Sequence, residues 1–304
     1  MRFHNYASFL RRRLGGPVAR VSVSAGFTCP NRDGTKGTGG CVYCNNESFT
    51  EGVLFPGRPV EEQVRRTISS SSRLKAFRRL LVYFQPYTNS YAPAEKLERI
   101  YREAFCHPDV AGIVIGTRPD CLEAPVLDVL ESIALEKYVS VEIGLQSSSD
   151  AVLAGINRGH TVEDFTEAVG AVRRRGIDVA VHLIYGLPGD TKEGFVSAAG
   201  FLSDLGVQGV KLHHLHIVTG SGLEEPWRRG EVAVPEYEVY VRACADFLER
   251  LSPEIAVLRL MGSAPRELLL APLWNKGSRD MSHDVAAELA RRGSWQGSKR
   301  KENP

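Results

Sequence analysis

Long apolar runs are missing from this sequence: nothing in it approaches the ~20 consecutive residues that cross a bilayer as a helix. The segment from Met1 to Gly16 holds no apolar core of signal-peptide length, and Arg11, Arg12 and Arg13 interrupt what apolar character it has. These two absences predict a cytoplasmic protein with no membrane partner. No Ser- or Gly-rich linker divides the chain and no internal repeat is evident, which excludes a string of tethered modules or a solenoid. An excess of one charge is also missing, since the net charge is only +2. That small total hides a gradient. Residues 1–20 hold five arginines and no acid, residues 291–304 carry +4, and the residues between carry −7. Basic ends around an acidic middle can hold a polyanion such as RNA, but charge alone favours a solvated, poorly ordered pair of chain ends.

What is present is an ordinary globular composition, 43% hydrophobic and 24% charged over 304 residues, enough for one large α/β domain or two smaller ones. Between about 18 and 225, short β-branched runs alternate with longer amphipathic stretches. Strands are expected at Ala19–Ser24, Leu80–Phe84, Gly112–Ile115, Val139–Leu145, Asp178–Ile184 and Val207–Ile217. Helices are expected near 59–77, 94–105, 121–136, 161–175 and 191–205, two of them opened by capping words at Thr161–Asp164 and Asp190–Glu193. Repeated strand–helix alternation implies a parallel sheet. In Val139–Gln146 the odd positions are apolar, while Ser140, Glu142, Gly144 and Gln146 share the opposite face. A strand buried between helix layers is apolar on both faces, so a polar face fits an incompletely filled barrel lumen. The expected fold is therefore α/β: a partial (β/α)6 TIM-like barrel with a C-terminal α/β extension. Its parts are a basic N-terminal segment (1–18), the barrel core (19–225), the extension packed on it (226–293) and a basic, disordered tail (294–304).

Six cysteines are present, and three of them, Cys29, Cys41 and Cys44, fall within one Gly- and Pro-rich loop after the first strand. Cys106, Cys121 and Cys244 stand alone and read as small buried hydrophobes. A loop of this kind can wrap thiolates around a metal centre with amide N–H groups aimed at sulfur. A four-iron cluster with three protein thiolates keeps one iron open. A structural zinc needs a fourth ligand, and no Cys or His lies between Cys44 and Cys106. Three unrelated loop cysteines are the remaining reading.

The words around these cysteines, Phe-Thr-Cys29-Pro-Asn-Arg-Asp-Gly and Gly40-Cys-Val-Tyr-Cys-Asn45, resemble the radical S-adenosylmethionine superfamily. The similarity is to a bacterial family related to the elongator catalytic subunit branch, and runs through nearly the whole chain. Further matching words are Phe84–Asn89, Gly116–Asp120, Glu142–Ser147, Asn157–His160, His182–Gly189, Lys211–His216 and Ala271–Trp274. The resemblance implies a 4Fe-4S cluster on Cys29, Cys41 and Cys44 whose open iron takes the amino and carboxylate groups of S-adenosylmethionine. One electron, from a donor such as flavodoxin or ferredoxin, then yields methionine and a 5′-deoxyadenosyl radical that abstracts hydrogen from a substrate. Family members linked to wobble-uridine modification make a modified tRNA base the implied substrate. The same chemistry on a small metabolite or protein side chain, and a zinc-stabilised binding module without turnover, are the competing readings.

The resemblance also assigns cofactor contacts. Gln85, Thr88 and Asn89 end the second strand, where the superfamily meets the methionine amino group, although its usual glycine pair with an acid is absent here. Glu142 and Gln146 are expected at the ribose, with a structural ion pair as the alternative for Glu142. Arg158 corresponds to the arginine that pairs with the methionine carboxylate. His182, Ile184, Gly186 and Leu187 belong to the strand-five region near the adenine, and His216 ends strand six. Arg118 either lines the substrate mouth or caps its own turn. Strand alternation is expected to put His214 and His216 on one face and His213 on the other.

Overall fold

The structure, a computed structural model, describes residues 2–45, 48 and 53–300. The chain opens with α1 (Tyr6–Leu14), β1 (Ala19–Val23), α2 (Val60–Ser70), the short α3 (Ser72–Lys75) and β2 (Leu80–Phe84). It continues through α4 (Ala94–Glu103), β3 (Val110–Thr117), α5 (Ala124–Ala134), β4 (Tyr138–Gln146), α6 (Asp150–Gly155) and α7 (Val162–Arg174). Then follow β5 (Asp178–Tyr185), α8 (Lys192–Leu205), β6 (Gly209–His214), β7 (Ile217–Val218) and α9 (Glu224–Arg228). The last elements are α10 (Tyr237–Leu248), β8 (Ala256–Arg259), β9 (Leu269–Ala271) and α11 (Ser278–Arg291).

Seven parallel strands form the main sheet in the order β1-β2-β3-β4-β5-β6-β8, with helices as crossovers. The sheet is strongly curved. Three strand spacings separate β1 from β4, about 14 Å if flat, yet Arg20 on β1 reaches Glu142 on β4 at 2.8 Å. This is the expected α/β partial barrel with one strand more than the six anticipated. The seventh, β8, lies inside the region expected only to pack on the core, so the C-terminal extension completes the sheet. The sixth strand is shorter than expected, because the chain leaves the sheet after His214 and Ile217–Val218 pairs antiparallel with β9.

Local chemistry explains the helix starts. Thr161 and Asp164 form the expected capping box before α7, with the Asp164 N–H donating to Thr161 Oγ1 at 3.1 Å and the Thr161 N–H to Asp164 Oδ2 at 2.7 Å. Before α8 the cap is Thr191, one residue later than expected; Asp190 instead accepts from Ser147 Oγ at 3.0 Å.

Both termini depart from expectation. Residues 6–14 form α1, whose Leu10 packs against Leu81, Tyr83 and Val114 on the inner face of the sheet and plugs one end of the lumen. Full burial of one such leucine contributes about 2 kcal/mol. The tail, expected to be disordered, is fastened through Arg300. Gln296 is buried, donates to the carbonyls of Ser252 and Ile255 at 2.6 and 2.8 Å, and accepts from the His4 N–H at 2.8 Å. Its basic residues are also engaged: Arg292 pairs with Asp246 and Glu249, and Lys299 with Glu249. Residues 301–304 lie outside the described residues.

Candidate active site

A cavity of about 1000 Å³ occupies the lumen and opens among the loops at the C-terminal ends of the strands. Parallel barrels assemble their chemistry there because every βα loop converges on that end. Cys29, Cys41 and Cys44 all line it. Their loop is shaped by short-range bonds: the Arg32 and Asp33 N–H groups donate to the Cys29 carbonyl, and the Cys44 N–H to the Cys41 carbonyl at 2.9 Å. Gly39 and Gly40 have φ of 78° and 79°, a conformation that side chains oppose. The loop is then stapled from a distance. Asn157 donates to the Gly40 carbonyl at 2.8 Å, while Asn31, itself buried, donates to the Asn157 carbonyl at 2.5 Å and approaches Cys41 Sγ at 3.7 Å.

Arg158 joins the cysteine loop to β4. Its Nη1 lies 3.6 Å from Cys41 Sγ and its Nη2 donates to the Gly144 carbonyl at 2.6 Å, while Nε is buried without a partner. Burial works to raise the Cys41 thiol, but the Arg158 charge and hydrogen bond bring it below its ordinary value. Cys44 is pushed up to about 11 by burial and by Cys41 beside it. Arg118 reaches both its own turn and the cavity. It grips Asp120 through Nε and Nη2 at 2.9 and 3.0 Å, capping its own turn, and it lines the cavity with Nη1 buried and unpartnered.

After β2, Gln85, Thr88 and Asn89 line the cavity. The Thr88 N–H donates to the Thr28 carbonyl at 3.2 Å, which ties this loop to the start of the cysteine loop. Asn89 donates to the carbonyls of Pro86 and Gly116 at 2.9 and 3.0 Å, and its Oδ1 is buried with no donor.

Glu142 is fully committed. Lys211 Nζ and His182 Nε2 lie 3.0 and 2.7 Å from its Oε2, and Arg20 Nη1 sits 2.8 Å from Oε1 as an ion pair without hydrogen-bond geometry. Lys211 also donates to the Tyr83 hydroxyl at 3.2 Å. Burial would raise the Glu142 carboxyl, but Lys211, Arg20 and the His182 bond hold it well below the usual carboxylate range. Burial and the Lys211 charge bring His182 down to about 4, and burial brings Lys211 down to about 8. The structural ion pair considered for Glu142 is thus what the geometry displays, with Lys211 and Arg20 as its charged partners and His182 hydrogen-bonded beside them. Gln146, at φ 78° where β4 ends, stays on the cavity wall.

The strand-five residues divide. Ile184 lines the cavity, but Gly186 and Leu187 do not. The strand stops at Tyr185, Gly186 turns at φ 86° against Pro235, and Leu187 is buried in the core. The histidines rearrange too. Because β6 ends at His214, alternation does not extend to 216. His213 and His216 both line the cavity, while His214 stacks on Trp274 and Tyr240. Sequence reasoning overlooked Arg20, Lys211 and Arg259. Their only local signal is a charged residue inside a strand, and their partners lie far away in sequence.

Among the described residues, no group of three His, Cys, Asp or Glu side chains is arranged to ligate a single metal ion, and no helix is long and apolar enough to cross a membrane. Cys121 and Cys244 are buried and Cys106 is half-buried, in keeping with a packing role.

Residues 29–202 match the Radical SAM superfamily and residues 207–291 the Radical_SAM C-terminal domain. The protein YtqA of Bacillus subtilis is 34% identical over 299 residues, covering 97% of this chain and 92% of its own length. The tRNA uridine(34) acetyltransferase of Dehalococcoides mccartyi is 21% identical over 302 residues; the alignment covers 87% of this chain and 63% of that one. Among solved structures, archaeal Methanocaldococcus infernus Elp3 superposes with a TM-score of 0.72 at 18% identity, covering 92% of this chain and 64% of that chain. That likeness shows a shared fold, and together these relatives set the chain in the elongator-related branch.

Proposed function

The chain belongs to the radical S-adenosylmethionine superfamily of enzymes, and from that premise we propose that Cys29, Cys41 and Cys44 hold a 4Fe-4S cluster beside a bound S-adenosylmethionine and that the substrate is a uridine of tRNA. One observation carries the cofactor reading. Arg158 Nε, Arg118 Nη1 and Asn89 Oδ1 are buried polar atoms without hydrogen-bond partners among the described residues, on side chains that line the same cavity as the three thiols. Two guanidinium donors and one amide acceptor fit the carboxylate and ammonium of an amino-acid moiety. Three thiols on one cavity wall, with no Cys or His between Cys44 and Cys106 to supply a fourth ligand, suit a four-iron cluster better than a structural zinc ion.

When bound, the pair supplies reductive cleavage of the sulfonium bond to methionine and a 5′-deoxyadenosyl radical, with an electron from a donor such as flavodoxin or ferredoxin. The chain's own residues do the positioning. Arg158 favours the thiolate of Cys41 and fixes its loop against β4. Asn31 and Asn157 hold the loop's far side. The helix α1 packs Leu10 on Leu81, Tyr83 and Val114 and closes part of the cavity wall with Tyr6 and Ala7. The tRNA reading is supported by the Dehalococcoides relative, a tRNA uridine(34) acetyltransferase. The basic tail lends it little, since among the described residues Lys299 and Arg300 pair with Glu249 and Asp204 of the fold.

The test is anaerobic reconstitution followed by dithionite and S-adenosylmethionine. About four irons with sulfide per chain and 5′-deoxyadenosine are expected; zinc alone would overturn the reading. Bulk tRNA from a deletion strain should then show an accumulated or missing uridine derivative. Unchanged tRNA would move the chemistry to a small metabolite or a protein side chain.

A further inference from the structure

Deeper in the lumen, away from the cysteine loop, positive charge exceeds negative. Arg20 on β1, Lys211 on β6 and Arg259 on β8 line the cavity, and among its described lining residues Glu142 is the one carboxylate. Glu142 is already shared between Arg20 and Lys211. Three cations against one anion leave an excess of two positive charges in a partly dehydrated space, an arrangement that is costly unless an anion enters it.

Arg259 is the cation of the three that is least used. Its contact is Nη2 to Ser263 Oγ at 3.5 Å, and no carboxylate pairs with it among the described residues. Beside it are two imidazoles. His213 has its Nε2 buried with no hydrogen-bond partner among the described residues. The backbone of Gly262 closes over both rings so tightly that a Cβ there would fall 2.6 Å from His216 Cε1 and 2.8 Å from His213 Nδ1. Burial and the surrounding cations keep both rings neutral, His216 down to about 4, so each offers one N–H without adding charge.

We propose that this wall is an anion subsite, in which Arg259, with Lys211 behind it and His213 and His216 beside it, receives a carboxylate or phosphate group of the substrate. The guanidinium fork matches either group in two parallel hydrogen bonds. The site is distinct from the Arg158 end of the cavity, and it rests on the functional reading only in taking the anion to be part of the substrate. It would anchor the substrate by its charged group on the β6–β8 side while the cysteine loop occupies the β1–β4 side.

The experiment is calorimetric titration of the reconstituted holoprotein with inorganic phosphate and, separately, with malonate. Ionic strength is held constant with chloride, and saturating S-adenosylhomocysteine occupies the Arg158 end. Saturable binding of at least one anion is expected, weakened tenfold or more in Arg259→Gln, partly recovered in Arg259→Lys and unchanged in the surface control Arg291→Gln. Preference for phosphate identifies a phosphoryl group, and preference for malonate a carboxylate. Should Arg259→Gln fail to fold, His213→Asn is read in the same way, with a weaker but measurable loss. Binding no stronger than chloride, or equal binding in wild type and Arg259→Gln, overturns the subsite. The same wild-type preparation is assayed for 5′-deoxyadenosine: its absence sinks the functional reading while leaving anion binding intact, so the two failures are separable.

Discussion

Arg158 and Cys41, 117 residues apart in sequence, meet with Nη1 3.6 Å from Sγ while the same guanidinium holds the Gly144 carbonyl at 2.6 Å. The contact exists because position 144 has no side chain: a Cβ there would lie 2.8 Å from Arg158 Nη2 and 2.5 Å from Gln146 Nε2. Arg158→Gln and Gly144→Ala should therefore each weaken S-adenosylmethionine binding about tenfold or more, some 1.4 kcal/mol, with iron content near that of the parent protein. Equilibrium dialysis against iron and sulfide analysis checks this. Undiminished affinity in Arg158→Gln would remove that side chain from the cofactor.

The cysteines divide by environment. Cys44→Ala should abolish cluster assembly and 5′-deoxyadenosine formation while the circular dichroism of the barrel persists. Cys121 is buried, with burial raising its thiol to about 12, so Cys121→Ala should leave both cluster and turnover in place. A cluster lost in Cys121→Ala would mean that the ligand set is wrong.

Removing the charge of Glu142 strands its partners. In Glu142→Gln, the buried Lys211 and the half-buried Arg20 lose their counter-ion, and unfolding free energy should fall by about 3 kcal/mol or more. Urea titration measures it. A loss below about 1 kcal/mol would show that water already screens the cluster.

Acid should weaken the fold before it touches this carboxylate. Burial holds His182 and His216 at about 4, against 6.5 in an unfolded chain. Between those values the unfolded state binds more protons, so stability is complete above 6.5 and declines as pH falls toward 4. The slope is about 1.4 kcal/mol per pH unit for each histidine. Glu142, held well below its ordinary value, stays ionised across that window. Melting temperatures from pH 7 to 5 should drop steadily; a flat profile would contradict the buried, neutral rings.

Gln296 should behave as a core residue despite lying near the end of the chain. Gln296→Ala leaves the carbonyls of Ser252 and Ile255 and the His4 N–H without partners, at a cost of about 2 kcal/mol. Chemical denaturation tests this directly, and a neutral substitution would show that the tail is not fastened in solution.

Most of the barrel was legible because its signals are local. The alternation in Val139–Gln146 foretold which face meets helices and which meets the cavity, and the Thr161–Asp164 word placed a helix start to the residue. The loop that carries Cys29, Cys41 and Cys44 was legible for the same reason: spacing and glycines sit within one segment. The histidines after Lys211 were misread because alternation holds only while the strand lasts, and strand pairing with β5 ends at His214. Gly186 and Leu187 were misread because the chain turns into the core one residue past the strand.

From sequence alone followed a parallel α/β barrel with a polar interior and a three-thiol loop at its mouth, since periodicity and spacing act over a few residues. Tertiary structure decided which cations neutralise Glu142, which imidazoles face the lumen, and that both basic termini close the molecule instead of trailing from it. Those outcomes depend on curvature that brings strands three apart within hydrogen-bond reach, and no short window of sequence encodes that distance.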